Sequence, residues 1–279
     1  MDVSGKHVVI TGANTGIGRA TAEALAAQGA VVVVAARSED RARPVVDGIR
    51  ARGGNVVFVP LDLGDFASVR ACASRIEALE RPVDVLVNNA GVAGQRGFTR
   101  DGYELHFGTN HLGHFLLTML LWPRLRAAGA ARIIHVASQA HYQAKGIDFE
   151  AVRRPTRSIT GLSEYAVSKL ANVIFAREIA RRTPASGVTS YSLHPGVVAS
   201  DAWRRLPWPI RALMKLGMIS NEQGAKTTLH CVGAADLVNG AYYDECRVKE
   251  PSRLALDEAL GKELWAKSVQ FTGADLTAP

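Results

Sequence analysis

Tyr165 and Lys169 stand four residues apart in the stretch Ser163-Glu164-Tyr165-Ala166-Val167-Ser168-Lys169. On a helix that spacing stacks them on one face. A phenol titrates near ~10, and an ammonium beside it favours the phenolate and draws that value down. Together they would make a proton donor and acceptor usable near neutral pH. Tyr-x-x-x-Lys also occurs by chance on exposed helices, so the chemistry depends on what the rest of the chain brings to the same place.

The positioning elements follow from the alternation of short apolar runs with longer amphipathic segments. Strands are expected over 7–11, 31–35, 55–59, 83–87, 132–137, 188–194 and 240–244. Helices are expected over 16–28, from a cap at Ser38 to 52, and over 65–79. Further helices are expected from Asp101 to about 126, over 163–182, from a cap at Asn221 to about 231, and over 252–267. In the 101–126 segment, Leu112, Phe115, Leu116, Met119 and Leu120 fall at core spacing. Such alternation predicts an α/β fold. It would be a single-domain, doubly wound parallel sheet of Rossmann type spanning 1–279, with helices on both faces. A sheet of that kind places its ligand at the carboxyl ends of its strands.

Those ends carry the informative residues. After the first strand comes Thr11-Gly12-Ala13-Asn14-Thr15-Gly16-Ile17-Gly18, where glycines admit a pyrophosphate and a helix N-terminus offers N–H groups. After the second comes Ala35-Ala36-Arg37-Ser38. The acid that would bind ribose hydroxyls of NAD is absent, and Arg37 suits a 2′-phosphate, so NADP(H) is expected over NAD(H). Asp62, in Leu61-Asp62-Leu63, either accepts from an adenine amino group or caps a helix. Asn88-Asn89-Ala90-Gly91 is small and polar, suited to backbone contact with a cofactor. Ser138 follows the fifth strand, and Pro195-Gly196 turns after the sixth.

Composition narrows the field. The chain has 279 residues, 47% hydrophobic and 21% charged, enough for a sizeable core. Three scattered cysteines give neither a disulfide framework nor a metal knuckle. A reducing, cytoplasmic setting is the simplest fit. No apolar run reaches the ~20 residues of a spanning helix, and the N-terminus runs into a strand without a signal-peptide pattern, so no membrane span is expected. The formal charge of +7 comes from dispersed arginines without interleaved aromatics, which argues against nucleic acid.

Taken in order, TGANTGIG (11–18), NNAG (88–91), Asn110, Ser138, YAVSK (165–169) and PG (195–196) resemble the short-chain dehydrogenase/reductase family over roughly residues 4–245. ANTGIG, the run 110–117 and LHPG (193–196) resemble its branch of retinol dehydrogenases and WW-domain oxidoreductases. The resemblance implies that Tyr165 is the acid/base on the substrate oxygen and that Lys169 tunes it and holds the nicotinamide ribose. It further implies that Ser138 binds the substrate oxygen and Asn110 holds a relay water. Cofactor contacts are implied at Gly12, at Asn14, Thr15, Gly16, Ile17 and Gly18, at Asp62 and Leu63, at Asn89, Ala90 and Gly91, and at Pro195, Gly196, Val198 and Ser200. Ser200 stands where the family often has Thr. The resemblance also implies a homodimer or homotetramer, paired through the helices around 103–126 and 163–182.

Other residues carry weaker signals. His111 and His114 lack the further ligands zinc needs, so no metal is expected and both are read as structural histidines. His141 either lines the substrate pocket or lies in an exposed loop. Trp203, Leu206 and Trp208 belong to an apolar segment over 197–221. It is a lid or an interface patch, with the lid favoured because it directly follows the Pro195-Gly196 turn. The expected function is NADP(H)-dependent interconversion of a carbonyl and an alcohol on a lipophilic small molecule. Reduction of a conjugated C=C bond and an inactive NADP-sensing regulator are the alternatives.

Overall fold

In the computed structural model, residues 1–196 and 219–276 are described. Among them, eight strands form one sheet in the order β3-β2-β1-β4-β5-β6-β7-β8. The strands are β1 (His7–Thr11), β2 (Val31–Ala36), β3 (Asn55–Pro60), β4 (Val85–Asn88), β5 (Arg132–Val136), β6 (Thr189–His194), β7 (Tyr242–Asp244) and β8 (Arg247–Lys249). The first seven run parallel, and β8 turns back antiparallel on β7. β1 pairs with β2 on one side and β4 on the other, so strand order reverses there and a crevice opens at the strands' carboxyl ends. Continuous β-branched runs such as VVVVAA in β2 are buried, as strands covered on both faces must be.

Helices cover both faces. α1 (Gly16–Ala27), α2 (Glu39–Ala51) and α7 (Asn221–Gly233) lie on one, packing Leu25, Val45, Ile49 and Cys231 against the sheet. α3 (Phe66–Glu77), α4 (Gly113–Leu120), α5 (Trp122–Ala127) and α6 (Leu162–Arg182) lie on the other, with Val69, Ile76, Phe115 and Phe175 in one core cluster. No helix among the described residues is long and apolar enough to cross a membrane.

Several boundaries differ from expectation for local reasons. Asp101 does not open the long helix. Its carboxylate accepts from the Phe66 N–H at 2.8 Å and so serves α3. Helical backbone begins at Leu105, loosens into a π-turn over Phe107–Leu112, and only then becomes α4. Ser220, not Asn221, caps α7, through a capping box with Gln223. The closing helix is two pieces, α8 (Arg253–Leu256) and α9 (Glu258–Thr272), parted at Asp257, whose carboxylate caps α9. β8 was not expected: its turn, Glu245-Cys246, holds both residues at positive φ (49° and 62°) without the Asn-Gly signature such hairpins usually show. The lid segment lies outside the described residues from 197 to 218, with Val198, Ser200, Trp203, Leu206 and Trp208 in it.

The helices named for subunit pairing are covered from within. Trp265 of α9 is 5% exposed, with its ring 5.2 Å from Phe115 and 6.0 Å from Phe175. The Arg182 guanidinium lies 4.4 Å over it. Ser268 meets His111 at 2.8 Å, the Thr272 carbonyl accepts from Arg70 at 2.8 Å, and a Cβ on Gly261 would stand 2.8 Å from Glu178 Oε1. The apolar face of α4 and α6 is occupied by the chain's own last helix.

Candidate active site

A cleft of about 550 Å³ opens where the strand order reverses. The 11–18 loop forms one wall. Gly12 has φ +68°, and a Cβ there would stand 2.9 Å from Ala90; one on Gly18 would stand 2.5 Å from the Gly12 carbonyl oxygen and from Asn89 Nδ2. These glycines are thus required by the protein's own packing as well as by any ligand. Thr11 binds the next wall: its Oγ1 accepts from the N–H groups of Asn89 (2.9 Å) and Ala90 (3.0 Å), and its carbonyl accepts from Asn89 Nδ2 at 2.8 Å. Thr15 precedes α1 without a side-chain cap, leaving the first-turn N–H groups at Gly16–Gly18 beside the cleft. Asn14, Ile17, Gly91, Pro195 and Gly196 also line it.

At the end of β2 the cleft is lined by Ala36, Arg37, Ser38 and Arg41. Ser38 caps α2 by accepting from the Arg41 N–H, which sets Arg41 in the first turn, one helical step from Arg37. Arg41 escaped the sequence reading although its spacing from Arg37 was a usable signal. Asp62 lies in the cleft beside Leu63. It caps no helix: its Oδ1 accepts from the Gly64 N–H at 3.0 Å, and Asp65 caps α3 instead.

Tyr165, Lys169 and Ser138 meet at the inner end. Tyr165 and Ser138 share a hydrogen bond between their hydroxyls. Lys169, 4% exposed, donates from Nζ to the Val136 carbonyl at 2.7 Å and stands 5.7 Å from the Tyr165 ring centre. Burial pushes the Tyr165 phenol up, the bond to Ser138 acting against it, and burial draws Lys169 down to about 8. For the chain by itself the phenol moves opposite to the expectation: burial sets its direction, and only the bond to Ser138 acts against it.

Asn110 lies in the π-turn, fully buried. Its Oδ1 accepts from the Val92 N–H at 2.8 Å, and its Nδ2 donates to the Val92 carbonyl (3.0 Å) and Ser168 Oγ (2.9 Å). Both amide hydrogens are spent fastening the Gly91–Val92 turn to α6, so a relay water does not fall to this amide N–H. His141 fits neither reading made of it. It is buried, with Nδ1 on the Ser138 carbonyl at 2.7 Å and Nε2 accepting from the Ser252 N–H at 3.1 Å. It braces Ser138, two positions after β5, instead of lining a pocket. His194, unremarked as a side chain, does line the cleft, and burial lowers it to about 4 against the pull of Asp244.

His111 and His114 are structural. His111 is held by Ser268, and His114 by Thr11 Oγ1 and the Asn110 carbonyl, both at 2.9 Å. Burial lowers them to about 3 and about 4. Among the described residues no group of three or more His, Cys, Asp or Glu could hold a metal. A nicotinamide dinucleotide fits the donor set: open N–H groups at α1, two guanidiniums and no acid at the end of β2, and a buried ammonium beside a phenol.

A family model described as short chain dehydrogenase matches residues 6–208. Mouse retinol dehydrogenase 12 is 41% identical over 98% of this chain and 88% of its own length. Mouse polyprenol dehydrogenase is 42% identical over 97% and 84%. Among solved structures, an uncharacterised protein of Mycobacterium paratuberculosis superposes with a TM-score of 0.81 at 33% identity, covering 99% of this chain and 97% of that one. A protein described as an NAD(P)-dependent gluconate 5-dehydrogenase of Beutenbergia cavernae, with NADP bound, reaches 0.71 at 28% identity over 88% and 96%. The chain belongs to the short-chain dehydrogenase/reductase family, in a branch resembling the retinol dehydrogenases.

Proposed function

We propose that the protein is an NADP(H)-dependent oxidoreductase that interconverts a carbonyl and an alcohol on a lipophilic small molecule. The observation that carries this reading is the meeting of Tyr165, Ser138 and Lys169 in one cleft that Arg37 and Arg41 also line at the end of β2, where no acid takes the place after the strand. Apolar lining at Val92, Ala93, Phe98 and Leu105 supports the substrate class, as do relatives named for retinol and polyprenol.

The nicotinamide supplies or accepts hydride when bound. Tyr165 gives its proton to the substrate oxygen in reduction and takes it back in oxidation, and the Ser138 hydroxyl bonds the oxygen where negative charge develops. Lys169 holds positive charge beside the phenol and would hold the nicotinamide ribose when the cofactor is bound. Asn110 acts by fastening the Gly91–Val92 turn against α6. The α1 N-terminus would hold the pyrophosphate, and Arg37 and Arg41 would hold a 2′-phosphate.

The test is consumption of NADPH and NADH against aldehydes, ketones and enones, with Tyr165→Phe alongside. Turnover of aldehydes or ketones with NADPH, lost in Tyr165→Phe, is the expected result. Turnover of enones alone would favour C=C reduction. Tight NADPH binding without turnover on any substrate would favour a regulator.

A further inference from the structure

β5 ends at Val136, and the ladder carries on only to the Ala137 N–H, which donates to the Leu193 carbonyl at 2.8 Å. Ser138 therefore lies beyond the sheet, although its hydroxyl must meet that of Tyr165 on α6. What holds it is the short 3-10 turn that it opens, Gln139–Gln143. Ser138 Oγ accepts from the Ala140 N–H at 3.2 Å. The Ser138 carbonyl accepts from the His141 N–H at 3.2 Å and from His141 Nδ1 at 2.7 Å. Five residues of 3-10 turn are weakly held by their own bonds, so their place depends on what packs against them.

The turn is tied to segments much later in the chain. The Ser252 N–H donates to His141 Nε2 at 3.1 Å, and the Tyr142 hydroxyl donates to the Glu250 carbonyl at 2.5 Å. Pro251 joins that carbonyl to that N–H, and its ring fixes φ between them. Tyr242 of β7, itself buried, stands edge-on to His141 with 4.8 Å between ring centres. A longer bond comes from β6, where His194 Nδ1 accepts from the Gln139 N–H at 3.4 Å.

The two bonds of His141 also fix its chemistry. A carbonyl can only accept, so Nδ1 carries the hydrogen; a backbone N–H can only donate, so Nε2 offers its lone pair. The imidazole is neutral and in one tautomer, the form that burial favours. With the ring fully buried and both nitrogens spent, it acts through Ser138 and not on a substrate.

We propose that His141 is a positioning residue, and that Glu250–Ser252 is a clasp that holds the Ser138 hydroxyl where Tyr165 and the substrate oxygen require it. The frame of the active site then extends to a segment that does not itself line the cleft. The kinetic effect of the clasp rests on the carbonyl–alcohol reading, whereas its hold on Ser138 does not.

Two replacements separate the bonds of His141. An Asn amide stands where Nδ1 does and can donate to the Ser138 carbonyl; a Gln amide stands where Nε2 does and can accept from Ser252. His141→Asn should keep the Ser138–Tyr165 hydrogen bond and lower kcat by less than about tenfold. His141→Gln should break that bond and lower kcat about 10²-fold. Tyr142→Phe, at an exposed side chain, removes the other half of the clasp and should lower kcat about threefold. NADPH affinity should hold in all three, because neither residue lines the cleft, and it checks that each variant is folded. Crystal structures of the His141 variants read the Ser138–Tyr165 bond without turnover, so the clasp is tested even if the chain reduces no carbonyl. An intact bond in folded His141→Gln, or equal kcat in the two His141 variants, would overturn the proposal. Should neither of them bind NADPH, unchanged kcat in Tyr142→Phe would overturn it.

Discussion

The Lys169 ammonium donates to the Val136 carbonyl at 2.7 Å, tying α6 to the last residue of β5, two positions before Ser138. The lysine is thus part of the frame that sets Ser138 and Tyr165 side by side. Its charge is held at a cost, since burial draws it from 10.5 to about 8.

That shift has a signed consequence for stability. Between pH 8 and 10.5 the folded chain binds fewer protons at Lys169 than the unfolded chain. The burial penalty is fully present below that window and is relieved as pH rises through it. Wild type should therefore gain stability relative to Lys169→Met across the window, by a few kcal/mol at most. Denaturant unfolding of both proteins at several pH values measures the difference, and a difference independent of pH would show that the ammonium is not penalised. Lys169→Met should also lose turnover.

Ser138→Ala removes the hydroxyl bonded to Tyr165. Turnover should fall about 10²–10³-fold, the range for loss of one donor to a developing oxyanion. NADPH affinity, read by fluorescence, should hold. Because that bond opposes the effect of burial on the phenol, the pH profile for alcohol oxidation should move to higher pH.

Arg37→Ala and Arg41→Ala should each weaken NADPH about tenfold and leave NADH nearly unchanged, as expected for one charge-assisted contact to a 2′-phosphate. Titration with both nucleotides reads this. Equal weakening of the two would remove the basis for the cofactor preference.

Gly113→Ala should destabilise by about 1–3 kcal/mol, because its Cβ would stand 2.4 Å from the Leu63 carbonyl oxygen. Leu63 lines the cleft, so nucleotide affinity should weaken too. Gly233→Ala is the control: nothing lies within 4 Å of a Cβ there, and a gain of up to about 1 kcal/mol is expected in chemical denaturation.

The strands of the parallel core were legible because β-branched runs such as Val31–Ala36 admit little else. The glycine loop, Ser138, Tyr165 and Lys169 were legible because each falls just after a strand or at helical spacing. Less visible were features decided by contacts distant in sequence. Nothing local to Asp101 says that it will accept from the Phe66 N–H at the start of α3, and nothing around His141 shows that Ser252 will fill its second nitrogen. Glu245-Cys246 adopts a turn its residue types disfavour, so β8 was missed. The sign of the Tyr165 shift depended on burial, which spacing does not reveal.

The position of α9 in the chain bears on how the protein is made. The groove it fills is built from α3, α4 and α6, all synthesised before it, and Trp265 emerges well after Phe115 and Phe175. A nascent chain stalled near residue 250 would hold a nearly complete sheet yet leave those rings uncovered. Such a species is prone to associate through that groove or to be held by chaperones. Formation of α9 is therefore also the step that covers those rings during synthesis.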